Sequence, residues 1–268
     1  MTGASPPGRL LDSHAHIFRR DLPMPPEAVF VPQDDFEIDA YEAILDRFGV
    51  TFAVIAAPRF LGTYNDDTLR QIGGRPRFKA TVILDPATDP YVLKAMHADR
   101  AIGVRLSLRD AKQLPDLASY EYRLFFRRLA DLGWHVHLHL DGPRLPLVLP
   151  ALLAAPMRLV IDHFGRPDPA LGVRSEGFQA LLRAVQAGRT WVKLSGAFRL
   201  GCDPAPLVHA LLDAGGPDRL VWGSDCPFTD FSDSVTYAAV VEAYEGWVPR
   251  IEDRAAIDAT SRTLYGFD

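Results

Sequence analysis

Two histidines separated by one residue are the first candidates for chemistry in this chain. They lie in an apolar run that reads Leu-Leu-Asp-Ser-His-Ala-His-Ile-Phe. Side chains alternate between the faces of a strand, so the spacing predicts Asp12, His14 and His16 on one face and Leu11 and Ile17 on the other. Imidazoles transfer protons near neutral pH and bind metals, so the pair indicates an active site. Hydrogen-bonded surface histidines are the alternative, because short motifs also match by chance.

More polar residues stand where later apolar runs end. Ser195 and Ser224 are possible nucleophiles, but neither lies in a nucleophile-elbow sequence, so both are assigned structural or hydrogen-bonding roles. The residues at the ends of the later runs are Arg105, Arg109, His139, Asp141, His163, Ser195 and Asp225.

The run Trp-His-Val-His-Leu-His-Leu-Asp places three histidines on one predicted face. Only His139 stands at its end, so only His139 is expected to reach a site there. We predict that His135 and His137 are interior residues with hydrogen-bonding partners, as buried polar groups require. Alternation also predicts that Asp162 faces away from His163 and has a structural role.

The elements that must position these residues alternate between strands and helices. The predicted strands are Leu10–Phe18, Thr51–Pro58, Phe78–Asp85, Ala101–Leu108, Trp134–Asp141, Arg158–Gly165, Thr190–Ala197 and Arg219–Asp225. Segments with helical periodicity lie between them and include Glu37–Phe48, Asp66–Ile72, Ser119–Leu132, Ser175–Ala187, Pro204–Ala214 and Ser234–Tyr244.

Eight strands alternating with helices in a chain of this length predict an α/β fold, a (β/α)₈ TIM barrel formed as one domain over residues 1–268. A doubly wound open sheet is the alternative. One extra helix, Ile251–Leu264, is predicted at the C-terminus. Active sites of TIM barrels lie at the C-terminal ends of the strands, where the polar residues stand. The proline-rich stretch Arg19–Asp35 is long enough to cover that mouth.

Composition excludes several classes of function. The 268 residues are 48% hydrophobic with a net charge of −5 and carry no basic stripe, which argues against nucleic-acid binding. No apolar run is long enough to span a bilayer, and the first residues lack the order of a signal peptide, so we expect a cytoplasmic protein. The two cysteines, Cys202 and Cys226, are too few for a disulfide framework and are predicted to be reduced.

Five motifs resemble those of the amidohydrolase superfamily (amidohydrolase-related family 2), and most closely its 2-pyrone-4,6-dicarboxylate lactonase-like branch. They are Asp-Ser-His-Ala-His at 12–16, Gly-Val-Arg at 103–105, Leu-Gly-Trp-His-Val at 132–136, Asp-His-Phe-Gly-Arg-Pro-Asp at 162–168 and Leu-Val-Trp-Gly-Ser-Asp-Cys-Pro at 220–227. The resemblance implies that Asp225 is the general base that activates water. It also implies that His14, His16 and His163 polarise a lactone carbonyl and stabilise the oxyanion.

The resemblance leaves the metal content open. The related lactonase works without metal and has a tyrosine where this chain has His139. With that histidine, His14, His16, His139 and Asp225 restore the ligand set of mononuclear zinc members. Arg105 stands where a carboxylated lysine would bridge two metals, and a guanidinium cannot do so. The expectation is therefore either no cofactor or one divalent ion such as Zn²⁺.

Arginines at the strand ends indicate an anionic substrate, because a guanidinium binds carboxylates bidentately. By the resemblance, Arg105, Arg109, Arg166 and Arg199 match or adjoin substrate-contacting arginines, and His139 is also assigned to substrate binding. Arg59 ends the second strand and joins this set. The expected substrate is a carboxylated lactone from the breakdown of aromatic compounds or sugar acids.

The leading hypothesis is a hydrolase that opens a lactone. A metal-dependent decarboxylase and a lactone isomerase of the same barrel family are alternatives, and a non-catalytic barrel that binds a small acid is another. Apolar residues in the last helices are compatible with a homodimer.

Overall fold

Eight parallel strands form a barrel in the computed structural model, which describes residues 11–26, 28 and 30–267. Each strand pairs with the next one along the chain, in the order β1 to β8. Their bounds are β1 Leu11–Ala15, β2 Phe52–Ala56, β3 Phe78–Val82, β4 Ala101–Ser107, β5 His135–His139, β6 Arg158–Ile161, β7 Thr190–Leu194 and β8 Leu220–Trp222. The start of the first predicted strand, Leu10, lies outside the described residues.

The barrel closes between β1 and the segment that follows β8. The amide of Asp225 donates to the carbonyl of His14, and the amide of His16 donates to the carbonyl of Cys226, each over 2.8 Å. These bonds continue the parallel ladder around the barrel. The (β/α)₈ prediction is confirmed, and the open-sheet alternative is wrong.

The helices form the outer layer, and one follows each strand. No helix among the described residues is long and apolar enough to cross a membrane. The bounds are α1 Ile38–Phe48, α2 Asp66–Ile72, α3 Pro90–Ala98, α4 Tyr120–Asp131, α5 Leu145–Ala154, α6 Glu176–Gln186, α7 Ala205–Gly215, α8 Tyr237–Trp247 and α9 Ile251–Tyr265.

Helix α6 illustrates why these segments are helical and where their apolar faces lie. Phe178, Leu181 and Val185 recur at helical spacing and are buried against the barrel. The strands themselves are buried on both faces, as parallel strands covered by helices require. The main apolar core therefore lies between the barrel and the helices.

The predicted C-terminal helix is present as α9, and residues at its end close the bottom of the barrel. Leu264, Tyr265 and Phe267 join a buried cluster with interior residues of β1, β2, β6 and β8. The ring of Tyr265 contacts His135 and His137 edge-on, with ring centroids 5.0 and 5.9 Å apart. The bottom of the barrel interior is thus filled by side chains.

Strand β1 is irregular, and the predicted face of Asp12 is wrong. The register between β1 and β2 shifts between Asp12 and Ala15. Asp12 therefore points towards the helices, where it accepts hydrogen bonds from Tyr41 of α1 over 2.7 Å and Tyr237 of α8 over 3.0 Å. Strict alternation fails here because an irregular residue changes which face the next side chain takes.

Two glycines in helices provide a test of the packing between α6 and the link after β5. A Cβ built on Gly177 would lie 1.9 Å from the carbonyl oxygen of Gly142, whereas one on Gly246 of α8 would meet nothing within 4 Å. We expect Gly177→Ala to lower the free energy of unfolding by about 1–3 kcal/mol. Gly246→Ala, the matched control, is expected to raise it by up to about 1 kcal/mol, because alanine favours helix. Urea unfolding measures both, and equal values for the two variants would contradict the close contact.

Candidate active site

A cavity of about 230 Å³ opens at the C-terminal ends of the strands. All six residues predicted to bind substrate line this cavity. Three of the four predicted catalytic residues also line it, and the fourth, His14, is buried directly below. The lining residues are His16, Phe30, Pro58, Arg59, Phe60, Arg105, Arg109, Asp110, His139, His163, Arg166, Arg199, Asp225, Thr229 and Asp230.

The carboxylate of Asp225 lies at the centre of the predicted catalytic residues. Its Oδ1 is 3.6 Å from Nε2 of His14, 3.5 Å from Nε2 of His16 and 3.9 Å from Nε2 of His163. Its other oxygen, Oδ2, accepts a hydrogen bond of 2.6 Å from Nε of Arg199. One carboxylate oxygen is thus held by a guanidinium, and the other faces three imidazoles.

Glycines allow the close approach of the end of β8 to β1 and of the end of β7 to the end of β6. A Cβ on Gly223 would lie 2.6 Å from Cβ of His14, and one on Gly196 would lie 2.6 Å from Nδ1 of His163. Strands β8 and β1 therefore approach each other closely at Gly223. Gly196 also has a φ of 60°, which favours glycine.

The backbone is left-handed at several site residues that are not glycine. The φ angles are 51° at His163, 56° at Phe164, 42° at Arg166 and 65° at Asp225. Such conformations cost energy and concentrate at functional sites. The left-handed turn at His163 also breaks the alternation after β6. The prediction that Asp162 faces away from His163 is therefore wrong, because His163 lines the cavity and the side chain of Asp162 enters the barrel directly below it.

Burial and neighbouring charges set the protonation of the central pair. Burial by itself raises the pKa of Asp225, but His163 and Arg199 more than offset this and hold that pKa well below its ordinary value. Burial lowers the pKa of His163 to about 4, although the charge of Asp225 opposes this shift. At neutral pH the site therefore contains an ionised carboxylate beside a neutral imidazole.

A buried lysine on β7 lies directly below this pair. Nζ of Lys193 is 2.9 Å from Nδ1 of His14, 2.9 Å from Nδ1 of His137 and 3.1 Å from Oδ1 of Asp162. The other oxygen of Asp162 accepts a hydrogen bond of 3.0 Å from Nε of Arg105. Burial lowers the pKa of Lys193 to about 8, against the attraction of Asp162. The lysine is thus a charged ammonium at neutral pH.

The remaining arginines of the cavity lie beside acidic residues at its rim. Arg166 donates from Nε to Oδ1 of Asp141 over 2.8 Å, and Nε of Arg109 lies 3.5 Å from the same oxygen. Arg59 forms an ion pair with Asp110. Within the described ranges, Nη1 of Arg166 is buried without a hydrogen-bond partner. This guanidinium nitrogen is the group best placed to bind an anion that enters the cavity.

The other histidines differ in their partners. His16 lies with Nδ1 2.7 Å from the carbonyl of Ala56, and His163 lies with Nδ1 2.9 Å from Oγ of Ser195. His137 is hydrogen-bonded to Lys193 through Nδ1, as predicted for an interior histidine with a hydrogen-bonding partner. His135 is also interior, as predicted. Its Nε2 has no hydrogen-bond partner in the described part of the chain, so the predicted hydrogen bonding is wrong at that nitrogen.

The segment between β1 and α1 reaches the cavity, as its length predicts. Its two ends pair through Phe18 and Phe36, whose amides and carbonyls exchange hydrogen bonds of 2.8 and 2.9 Å. Phe30 lines the cavity and contacts Phe60, which follows β2, with ring centroids 5.0 Å apart. Phe30 and Phe60 thus form an aromatic part of the cavity lining.

His14, His16 and Asp225 could hold a metal ion by proximity alone, since one ligand atom from each lies within 4.8 Å of the others. His139, which the resemblance adds to that set, is outside this group. A metal-bound histidine normally donates its other N–H to a carboxylate or carbonyl. His16 does so with Ala56, but the Nδ1 of His14 faces an ammonium, which can only donate. His14 therefore does not fit the role of ligand.

Lys193 is the main residue that the sequence interpretation missed. It stands two residues before Ser195 in a strand that is otherwise uncharged, so alternation places both on the inner face. A charged residue in the middle of such a strand was the available signal. Cys202 and Cys226 are both free thiols, as predicted.

A closed barrel with a carboxylate among imidazoles at its open end defines a TIM-barrel enzyme with an acid–base site. The chain belongs to the amidohydrolase family, whose model matches residues 11–267. This confirms the family that the sequence motifs indicated.

Individual relatives agree with the family assignment. The chain is 29% identical over 237 residues to 4-sulfomuconolactone hydrolase of Hydrogenophaga intermedia, covering 85% of this chain and 77% of that protein. A crystal structure from Acinetobacter baumannii, described as a "probable 2-pyrone-4,6-dicarboxylic acid hydrolase" with citric acid bound, has a TM-score of 0.90 at 30% identity. That match covers 97% of this chain and 100% of the other. An amidohydrolase from Burkholderia multivorans with bound zinc, at 22% identity and a TM-score of 0.78 over 97% of this chain and 100% of that one, shares the fold.

Proposed function

We propose that this protein hydrolyses lactones that carry a carboxylate or a similar acidic group. The observation that carries the proposal is the position of Asp225, whose free oxygen faces three imidazole nitrogens at 3.5–3.9 Å. The cavity above it is lined by five arginines in the described part of the chain. The names of the relatives, both hydrolases of acidic cyclic esters, support the same substrate class.

In the proposed reaction, Asp225 accepts a proton from a water molecule through Oδ1. The oxygen is suited to this because Arg199 holds the other carboxylate oxygen and fixes its orientation. The water oxygen forms a bond to the lactone carbonyl carbon, and negative charge develops on the carbonyl oxygen. N–H groups already aimed at that oxygen stabilise the charge without reorganisation. His14 and His163 can each present an Nε2–H to the position where it would lie, whereas His16, whose Nδ1 lies 2.7 Å from the carbonyl oxygen of Ala56, presents a lone pair there.

Collapse of the tetrahedral intermediate completes the reaction. The bond between the carbonyl carbon and the ring oxygen breaks, and Asp225 returns its proton to the departing oxygen. The products are one hydroxyl or enol group and one carboxylic acid, which ionises and releases one proton to solvent. The balance requires only water as co-reactant. We propose no step that uses a metal ion, because His14 does not fit the role of ligand.

Arg166 is the proposed anchor for the acidic group of the substrate. It has a buried, unpartnered Nη1, and it is held in place through Nε by Asp141. Arg109 and Arg59 lie further out beside acidic partners, so they add positive charge to the entrance. The relative from Acinetobacter baumannii holds citric acid, which carries several carboxylates.

The alternatives differ in what they require of the site. The decarboxylase alternative requires a metal ion, which the contact between Lys193 and His14 disfavours. A non-catalytic barrel that binds small acids has no use for Asp225 among the imidazoles. An isomerase uses the same histidines for proton transfer, so only the product distinguishes it. A cytoplasmic location, the extent of the domain and a homodimer stay predictions.

The proposal is tested by measuring proton release from pairs of lactones that differ in one carboxylate. We expect the carboxylated member to have a kcat/KM roughly 10- to 100-fold higher, because the other member loses a charge-assisted hydrogen bond. Ring opening is followed independently by mass spectrometry, as the gain of one water. Release of CO₂ from an unopened ring would instead support a decarboxylase. A new lactone of unchanged mass, formed without proton release, would support an isomerase.

A further inference from the structure

Lys193 has an arrangement of partners that decides where neighbouring protons lie. A lysine ammonium has three N–H donors and no lone pair, so it can only donate. Both of its imidazole partners, His14 and His137, present Nδ1 to it at 2.9 Å. Each of these nitrogens must therefore accept, and Asp162 at 3.1 Å balances the charge.

A neutral imidazole that accepts at one nitrogen carries its proton on the other. Because Nδ1 of His14 accepts a hydrogen bond from the ammonium, that nitrogen carries no proton, and the ring is neutral. Its proton is therefore on Nε2, which is buried, has no hydrogen-bond partner in the described ranges and is aimed at Asp225. In His137 the same logic places the proton on Nε2, 3.4 Å from the hydroxyl of Tyr265.

His16 has the opposite arrangement. Its Nδ1 lies 2.7 Å from the carbonyl oxygen of Ala56, which can only accept, so Nδ1 carries the proton. In the neutral ring, Nε2 then presents a lone pair to the cavity. The two histidines of the motif thus differ in role, although their spacing makes them look equivalent.

We propose that Lys193 is a positioning residue that keeps His14 in the Nε2–H form. In this form His14 donates a hydrogen bond to the developing oxyanion of the reaction proposed above, on which this inference rests. The same contact prevents His14 from offering its Nε2 lone pair to a metal ion. One buried ammonium thus directs this site towards metal-free chemistry.

Removal of the lysine should reverse this assignment. Oδ1 of Asp162 also lies near Nδ1 of His14, at 3.5 Å. A carboxylate accepts and does not donate, so Nδ1 becomes the protonated nitrogen and Nε2 gains a lone pair. His14 would then have the carboxylate partner that is typical of metal-bound histidines. Together with His16 and Asp225 it would form a three-residue zinc site.

The first measurement uses the unmodified protein and needs no substrate. Nitrogen-15 NMR of histidine-labelled protein distinguishes protonated from unprotonated ring nitrogens, and the His14→Gln spectrum identifies the His14 signals. We expect a protonated Nε2 and an unprotonated Nδ1 in wild type. A proton on Nδ1 of His14 would overturn the proposal, whether or not the protein opens lactones.

The second measurement compares Lys193→Met with wild type and with Lys94→Met, an exposed lysine of α3. We expect the proton of His14 to move to Nδ1 only in Lys193→Met. Zinc affinity, measured by competition with a chelating dye, should rise by about 10- to 100-fold in that variant. On a lactone that wild type opens, kcat should fall by on the order of 10²-fold with KM changed only a few-fold.

The controls separate the inference from a structural role of the lysine. A merely structural lysine would change kcat or stability without moving the proton of His14 or raising zinc affinity, and that result would overturn the proposal. If Lys193→Met does not fold, the wild-type NMR measurement still decides. Since neither the proton position nor zinc affinity requires turnover, failure of the lactonase proposal would be seen separately in the proton-release assay.

Discussion

Asp225→Asn is expected to lower kcat for lactone opening by on the order of 10²–10⁴, the contribution typical of a positioned general base. The amide has nearly the shape of the carboxylate but cannot take a proton from water. Because Arg166 and the other rim arginines are unchanged, KM should stay within a few-fold of wild type. Steady-state proton release on a lactone opened by wild type measures both constants.

Asp230→Asn is the matched control, because Asp230 lines the same cavity at its exposed edge. Both aspartates have a left-handed backbone, with φ of 65° and 68°, which asparagine also tolerates. The control should keep kcat within a few-fold of wild type. Circular dichroism and the melting temperature establish that both variants are folded. An Asp225→Asn enzyme that retains more than roughly a tenth of the wild-type kcat would show that another group activates the water.

The fold could be predicted because its signals are local. Each strand is a short apolar run, and the helices between them have apolar residues at helical spacing, as Phe178, Leu181 and Val185 do in α6. The face of Asp12 could not be predicted in this way. It depends on a register shift in β1 and on two tyrosines that lie 29 and 225 residues away.

The site could be predicted only in outline. Polar residues at the ends of strands indicated the cavity, because barrel topology brings those ends together. Their protonation could not be predicted, since it depends on contacts such as that between His14 and Lys193, which are 179 residues apart. Arg199 was assigned to substrate, yet its Nε is bound to Asp225. The sequence can thus assign a strand-end residue to the site, but it does not identify the group that this residue binds.

Asp162→Asn is expected to lower the free energy of unfolding by about 3–5 kcal/mol at neutral pH. Asp162 is fully buried between Lys193, 3.1 Å away, and Arg105, 3.0 Å away. Without the carboxylate, two buried cations would remain without a shared counterion. Total stabilities of about 5–15 kcal/mol make such a loss a large fraction of the whole. Guanidinium unfolding followed by tryptophan fluorescence measures the change.

The dependence of this effect on pH distinguishes a charge effect from a change in packing. Burial raises the pKa of Asp162, but Lys193, with smaller contributions from His14 and Arg105, holds that pKa well below its ordinary value. Because the pKa of Asp162 is lower in the folded state than in the unfolded state, its ionised form stabilises the fold at pH values above the unfolded-state pKa, which is near 4. This stabilisation is lost as the pH falls towards the folded-state pKa. The difference between wild type and Asp162→Asn should therefore narrow in acid.

An exposed carboxylate provides the comparison for that measurement. Asp131 on α4 pairs with Arg127 over 3.0 Å, and its side chain is 58% exposed. Asp131→Asn should change the free energy of unfolding by no more than about 0.5 kcal/mol at any pH tested. A constant difference between wild type and Asp162→Asn from neutral pH to about pH 3 would mean that Asp162 stabilises the barrel through its shape. If the free energies of unfolding of wild type and Asp162→Asn converge in acid, as we expect, Asp162 stabilises the barrel through its charge. That charge pairs with Arg105 and with Lys193, the residue that contacts His14.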